Sequence, residues 1–238
     1  MIPKIIHYCW FGKKPFPKSV LVCLENWEKT LPDYKFQLWN EENFPINKTF
    51  VKNAYKKKKF AFVADYARLS VLYDEGGVYL DTDMFLLKNI DKLLENYCFL
   101  GYEDDTYIAA GIIGATPHNK FIKACLDSYS TLNFSKIDVD SMLSITIPKV
   151  ITENYHLYEL KSELKTYPPD YFYSIPSSYS NVDPNEIDNY KNYFTENSYA
   201  VHLWARSWVH NSPKQIDEIY ILIRKIIKVI LRKCKILR

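Results

Sequence analysis

Apolar and aromatic positions run almost unbroken over residues 2–10, the pattern of a strand buried on both faces, until Phe11-Gly12-Lys13-Lys14-Pro15 interrupts it. Over residues 19–29 the period lengthens. Val20, Leu24 and Trp27 fall on one side of a helix that Leu31-Pro32-Asp33 ends. Residues 34–39 alternate through Phe36 and Leu38 as a second strand. Strand, helix and strand at this spacing predict a βαβ unit, and so an α/β fold whose sheet starts parallel. Residues 47–55 read as a helix, the four lysines 56–59 as a solvated turn, and residues 60–73 as a strongly apolar helix. Gly76-Gly77 is read as its left-handed C-cap. Val78-Tyr79-Leu80 is a short strand. Residues 97–102 and 108–115 are further strands joined by the turn Glu103-Asp104-Asp105-Thr106; residues 118–130 and 138–153 are helices. Residues 155–198 carry no period and read as irregular chain wrapping a site, followed by a late strand over 199–204. No internal repeat is visible.

The chemistry concentrates between Asp65 and Asp83. An apolar helix, two glycines and a short strand lead into Asp81-Thr82-Asp83, which places two carboxylates at the carboxyl end of a strand, where open α/β sheets bind ligands. In extended chain, residues two apart face the same way, so both carboxylates can share one Mg²⁺ or Mn²⁺ ion and neutralise a departing diphosphate. Asp65 and Arg68, three apart on the helix, share a face in an apolar setting and are expected to point into the same pocket. Within His202-Leu203-Trp204-Ala205-Arg206-Ser207-Trp208, an imidazole, a hydroxyl and indole N–H groups can converge on an ion and a diphosphate.

These segments resemble glycosyltransferase family 32, the DXD-containing sugar transferases. The resemblance rests on Ile2-Pro3-Lys4-Ile5-Ile6-His7 through Trp10, Trp39, Ala64-Asp65 through Arg68, Gly76 through Asp83, and His202, Trp204, Ser207 and Trp208, and covers residues 1 to about 210. It implies a GT-A fold (a Rossmann-like open mixed sheet flanked by helices), a nucleotide-sugar donor, UDP-linked by preference, a Mn²⁺ or Mg²⁺ ion and retention of anomeric configuration. By position, Trp10 would stack on the base, and Asp65 and Arg68 would contact ribose and donor sugar. Tyr79 would lie near the nucleotide. Asp81 would touch ribose and metal, Asp83 and His202 would complete the metal shell, and Ser207 and Trp208 would hold the diphosphate. Where many relatives carry an asparagine, this chain reads Ile108-Ala109-Ala110-Gly111. Apart from the resemblance, Glu103, Asp104 and Asp105 sit on a turn between two strands and could flank the sugar, and Asp104 and Asp105, with Arg68, are the expected catalytic groups. Bacterial relatives of this length are similar to capsule and lipopolysaccharide enzymes, often galactosyl- or glucosyltransferases.

Composition adds boundaries. With 238 residues, 47% hydrophobic and 25% charged, the chain is long enough for one substantial core. Five scattered cysteines with no C-x-x-C spacing argue against a zinc site or a disulfide framework, and for a reducing compartment. The N-terminus reads as a strand rather than a signal peptide. The net charge of +3 hides an asymmetry, since residues 219–238 hold seven basic residues and no acid while the rest is mildly acidic. A general nucleic-acid surface is therefore not expected. On a helical wheel Ile219, Leu222, Ile223, Ile226, Ile227, Ile230, Leu231 and Leu237 oppose Arg224, Lys225, Lys228, Arg232 and Lys235. That is the pattern of an amphipathic helix on an anionic membrane. The expected organisation is thus a transferase domain over 1–212 and a basic amphipathic helix over 213–238, peripheral on the cytoplasmic face of the inner membrane, where a lipid-linked glycan acceptor would be met. Two alternatives keep the same residues: a metal-dependent nucleotidyltransferase or phosphohydrolase, which would release pyrophosphate or phosphate, and a non-catalytic membrane-surface protein, which would need no metal.

Overall fold

The computed structural model describes residues 1–130, 132 and 145–205. The βαβ start forms as the periodicity predicts. β1 (Ile5–Cys9), α1 (Lys18–Thr30) and β2 (Lys35–Trp39) follow one another, and the strands pair in parallel from Ile5 opposite Lys35 to Cys9 opposite Trp39. Next come α2 (Thr49–Lys56), α3 (Phe60–Glu75), β3 (Gly77–Leu80) and β4 (Met84–Leu86). β5 (Cys98–Tyr102), β6 (Ile108–Ala115), α4 (Lys120–Ser130), α5 (Ile147–Leu157), β7 (Leu164–Tyr167), a 3-10 segment Pro184–Tyr193 and β8 (Ala200–His202) complete the described elements that matter here. The six-stranded sheet has the order β2-β1-β3-β6-β5-β7, and β6 alone runs against the others. β4 and β8 form a separate antiparallel ladder. The carboxyl ends of β1, β2 and β3 therefore share one edge, so Trp10, Asn40 and Asp81 leave the sheet on the same side.

Each face of the sheet buries its own core. One is built by Phe50, Val51 and Ala54 of α2, Val63, Leu69 and Leu72 of α3, Phe121 and Ile122 of α4, and Val150 and Ile151 of α5. The other joins Cys23 and Trp27 of α1 to Met84, Leu86, Phe99, Phe172, Tyr173 and Val201. The two faces explain why β3 and β6 are buried at every residue. Phe99 lies so close across β6 that a Cβ at Gly114 would meet its ring at 2.0 Å, so the strand pair needs a glycine there.

α1 also anchors β4. The Trp27 indole N–H donates to the Met84 carbonyl at 2.8 Å, and the Asn26 amide both donates to the Leu86 carbonyl and accepts from the Leu86 N–H. These bonds satisfy the buried edge of a strand only three residues long.

The structure departs from the sequence expectations in places with clear causes. Gly76 does not make a left-handed helical cap. Its φ of 67° and ψ of −162° lie in a region essentially open only to glycine, and they turn the chain straight into β3. His7 holds that turn: Nδ1 accepts the Trp39 indole N–H at 3.0 Å, so Nε2 carries the proton that bonds the Gly76 carbonyl at 2.8 Å. Burial lowers the His7 pKa, which keeps the ring neutral in this role. The helix expected over 138–153 is α5, shifted to Ile147–Leu157 with Pro148 in its first turn, while residues 138–144 lie outside the described residues. The stretch 155–198 contains β7, a four-residue edge strand that buries one side chain, Tyr167, and so shows no readable alternation. β4 was too short to be read. Of the four lysines, Lys57 and Lys58 form the exposed turn between α2 and α3, with Lys58 at φ 55°, while Lys56 ends α2 and half-buried Lys59 caps α3. Cys9, Cys23, Cys98 and Cys125 are buried free thiols, and no helix among the described residues is long and apolar enough to cross a membrane. The amphipathic segment 213–238 lies outside the described residues.

Candidate active site

Arg68 is the hub of the site. It projects from α3, is 5% exposed, and has the Tyr79 ring 4.4 Å below its guanidinium. Nη2 donates to Asp65 at 3.0 Å and Nη1 to the Ala110 carbonyl of β6 at 2.7 Å; the same Nη1 lies 3.2 Å from an Asp81 oxygen. One guanidinium thus ties a helix, the end of β3 and the middle of β6 together, with two carboxylates against one cation. Burial pushes the Asp65 carboxyl up to about 7 against the pull of Arg68, and the charge of Asp81 pushes the same way. Tyr79 is buried and spends its hydroxyl on Asp81 at 3.0 Å. The Asp81 N–H donates to the Gly111 carbonyl, so side chain and backbone are both fixed.

Asp83 is held from the other side of the molecule. The Met84 N–H closes a tight turn onto the Asp81 carbonyl, which sends the chain into β4. β8 pairs with β4 so that His202 lies opposite Met84, and the ladder continues as the Leu203 N–H bonds the Asp83 carbonyl. The Ala205 N–H then donates to Asp83 Oδ2 at 2.9 Å, and His202 Nε2 lies 3.3 Å from Asp83 Oδ1. Burial pushes the Asp83 pKa up, but the His202 charge, its hydrogen bond and the Ala205 N–H outweigh it and lower the carboxyl below its usual value. The partner moves oppositely. Burial lowers the His202 pKa, yet the attraction of Asp83, with smaller contributions from Asp81 and Glu103, raises it.

Trp204 keeps the imidazole in place. Its ring centre is 4.2 Å from that of His202, its indole N–H donates to the Ile175 carbonyl, and its backbone sits at φ 55°, a conformation costing a bulky residue about 1–3 kcal/mol. Asp81, Asp83 and His202 each offer a ligand atom, and these atoms lie within 4.8 Å of one another. The Nδ1 of His202 is buried with no hydrogen-bond partner among the described residues. Two hard oxygens and one imidazole nitrogen suit Mn²⁺ or Mg²⁺ with further positions left for a diphosphate.

The other expected residues fall as follows. Trp10 is half-buried at the carboxyl end of β1, packs on Phe16 with ring centres 5.1 Å apart, and donates its indole N–H to the Lys14 carbonyl. Asp104 Oδ1 accepts the N–H groups of Thr106 and Tyr107 and builds the β5–β6 turn. Asp105 is exposed. By alternation, Glu103 continues the face of β5 that carries Phe99 and Gly101, the face of Tyr173 and Met84. Its charge contributes to the raised pKa of His202, as the same residue's does at Tyr173. Ser207 and Trp208 lie outside the described residues. Tyr173, whose hydroxyl accepts the Ile112 N–H and whose ring lies 5.9 Å from that of His202, was not found by sequence reasoning, since it sits in the aperiodic stretch.

Replacing Arg68 with Met leaves Asp65 and Asp81 without their cation, and stability measured by urea unfolding is expected to fall by about 3–5 kcal/mol. Arg68→Lys should recover only part of it, because an ammonium cannot reach Asp65, Asp81 and the Ala110 carbonyl in one plane.

A family model described as the glycosyltransferase sugar-binding region containing DXD motif matches residues 17–100. An uncharacterized glycosyltransferase of Acanthamoeba polyphaga mimivirus is 27% identical over 224 residues, covering 87% of this chain and 84% of that protein. A mannosyl phosphorylinositol ceramide synthase of Saccharomyces cerevisiae is 27% identical over 136 residues, 54% of this chain and 35% of the yeast protein. The chain thus matches about a third of the yeast relative's length. Among solved structures, PaToxG glycosyltransferase superposes with a TM-score of 0.56 at 20% identity, over 67% of this chain and 71% of that one, a likeness of fold. Residues 17–100 thus match the glycosyltransferase sugar-binding region containing DXD motif, and the motif, this match and the likeness of fold agree on a glycosyltransferase built on a GT-A fold.

Proposed function

We propose that the chain moves a hexose, galactose or glucose, from a nucleotide-diphosphate sugar to a glycan acceptor with retention of configuration. The observation that carries this reading is the convergence of Asp81, Asp83 and an imidazole with an unpartnered nitrogen at the carboxyl end of β3. Asp81, Asp83 and His202 would hold Mn²⁺ or Mg²⁺. When bound, that ion supplies positive charge against the leaving diphosphate. Trp10 would stack on the base, UDP by preference, from the end of β1. Arg68 and Asp65, already locked to one another, would present a fixed face to ribose and sugar rather than a mobile grip. Tyr79 keeps Asp81 oriented. Ser207 and Trp208 would bind the diphosphate. Of the acidic turn, Asp104 and Asp105 would flank the sugar, and Glu103, whose charge reaches His202 and Tyr173, would lie beside them. A ceramide-modifying enzyme among the relatives favours an acceptor that carries a lipid. A surface-polysaccharide pathway and a position at the cytoplasmic face of the inner membrane fit a domain over 1–212 followed by the basic segment 213–238.

A panel of nucleotide sugars with Mn²⁺, scored for released nucleoside diphosphate, tests the activity. Asp83→Ala should abolish release while the protein keeps its fold by circular dichroism; release of pyrophosphate or phosphate instead would move the assignment to a nucleotidyltransferase or phosphohydrolase. The pH dependence of Mn²⁺ affinity has a definite sign. The raised pKa keeps His202 protonated in the metal-free protein to higher pH than an ordinary imidazole, and the ion must displace that proton. Affinity measured by calorimetry should therefore fall as pH drops through neutrality and level off above it, and His202→Gln should flatten the curve. For the tail, deleting 219–238 should release the protein from anionic liposomes and leave donor hydrolysis intact; equal sedimentation of the truncated form with liposomes removes the membrane reading.

A further inference from the structure

Three tyrosines pack against one another on the surface. Tyr179 stands at the centre, with ring centres 5.7 Å from Tyr190 and 5.7 Å from Tyr193, both edge-to-face, and its hydroxyl bonds that of Tyr193 at 2.7 Å. Tyr179 and Tyr193 remain 38% and 37% exposed. The cluster is held rigidly. The Tyr179 N–H closes a turn onto the Pro176 carbonyl, Val182 is buried, and Asp183 caps the 3-10 segment that carries Tyr190 and Tyr193. It is also wired to the site, because the Asn181 and Val182 N–H groups donate to the carbonyls of Trp204 and Leu203, the residues that follow His202. Tyr179 stands two residues before Asn181, so its main chain lies at most about 7 Å from the residue bonded to Trp204.

We infer that Tyr179, Tyr190 and Tyr193 form an acceptor subsite that stacks on a hexose ring of the glycan. An aromatic face is electron-rich and meets the C–H face of a pyranose, while the phenol hydroxyls bond its equatorial oxygens. Rings fixed before binding lose little freedom when a sugar arrives, which suits a weak, flat ligand. The pair of charges on the same segment, Lys191 and Asp188, is already matched at 3.0 Å and does not compete for the platform. This inference rests on the transferase reading above and names where its acceptor lies.

The test is saturation-transfer NMR with lactose, maltotriose and mannotriose, run beside the thermal shift produced by UDP with Mn²⁺. Wild-type protein should transfer saturation to the ring protons of at least one of the three. The double variant Tyr179→Ala, Tyr193→Ala should bind that sugar about tenfold more weakly, and Tyr179→Phe, Tyr193→Phe, which keeps the rings, should bind it within about threefold of wild type. The shift with UDP and Mn²⁺ should be equal in all three proteins. No saturation transfer to any of the sugars, or unchanged binding by the alanine double variant, overturns the subsite. Joint loss of sugar binding and the UDP shift also overturns it, in favour of a structural role. A wild-type protein without the UDP shift defeats the donor reading instead, whatever the sugars do.

Discussion

A cation buried to 5% exposure has to be neutralised where it stands, and the organisation of the site follows from that requirement at Arg68. Its two carboxylate partners come from α3 and from the end of β3, its carbonyl partner from β6, and the ring beneath it from β3 again. No one of these segments can move without stranding a charge. The Asp81 carboxylate is consequently aimed before any ligand arrives, by a guanidinium on one side and the Tyr79 hydroxyl on the other. Preorganised charge of this kind does its electrostatic work without rearrangement when a diphosphate develops negative charge.

Asp83 is positioned by a different device. A three-residue strand would not hold its place alone, and α1 supplies what it lacks through Trp27 and Asn26. β8 then adds the second edge and delivers His202 with it. The two aspartates are thus two residues apart in sequence but belong to separate frameworks, one tied to the main sheet and the other to the small ladder. The space between them is set by how the two frameworks pack through Met84, Gly111 and Tyr173. A Cβ at Gly111 would meet the Tyr173 hydroxyl at 3.1 Å, the Met84 sulfur at 3.2 Å and the His202 ring at 3.3 Å, so an ordinary side chain there would push the frameworks apart.

Much of this was legible in the chain because the relevant signals are local. Alternation and helical period found β1, α1, β2, α3 and β6, and the order helix, two glycines, strand, Asp-x-Asp placed the carboxylates at the correct end of the sheet. The acidic turn could be found but not resolved: which of Glu103, Asp104 and Asp105 faces the site depends on the pleat of β5 and on the Asx-type bonds of Asp104, neither of which composition reveals. β4 and β7 escaped notice because strands of three and four residues hold too few positions to establish a period. Tyr173 escaped because its partners, Ile112 and His202, are far away in sequence. The left-handed cap expected at Gly76 failed for a tertiary reason, since His7 and Trp39 draw the carbonyl of that residue toward the sheet.

The small ladder also orders events in time. Met84 pairs with His202, so the ribosome must deliver almost the whole described chain before the β4–β8 ladder can form. The sheet from β1 to β6 can condense while synthesis continues, since domains fold from the N-terminus as they emerge. A nascent polypeptide would then carry both aspartates on a finished sheet while the partner strand of β4 was still to come. The ladder that fixes Asp83 is therefore among the last parts of the described fold to assemble.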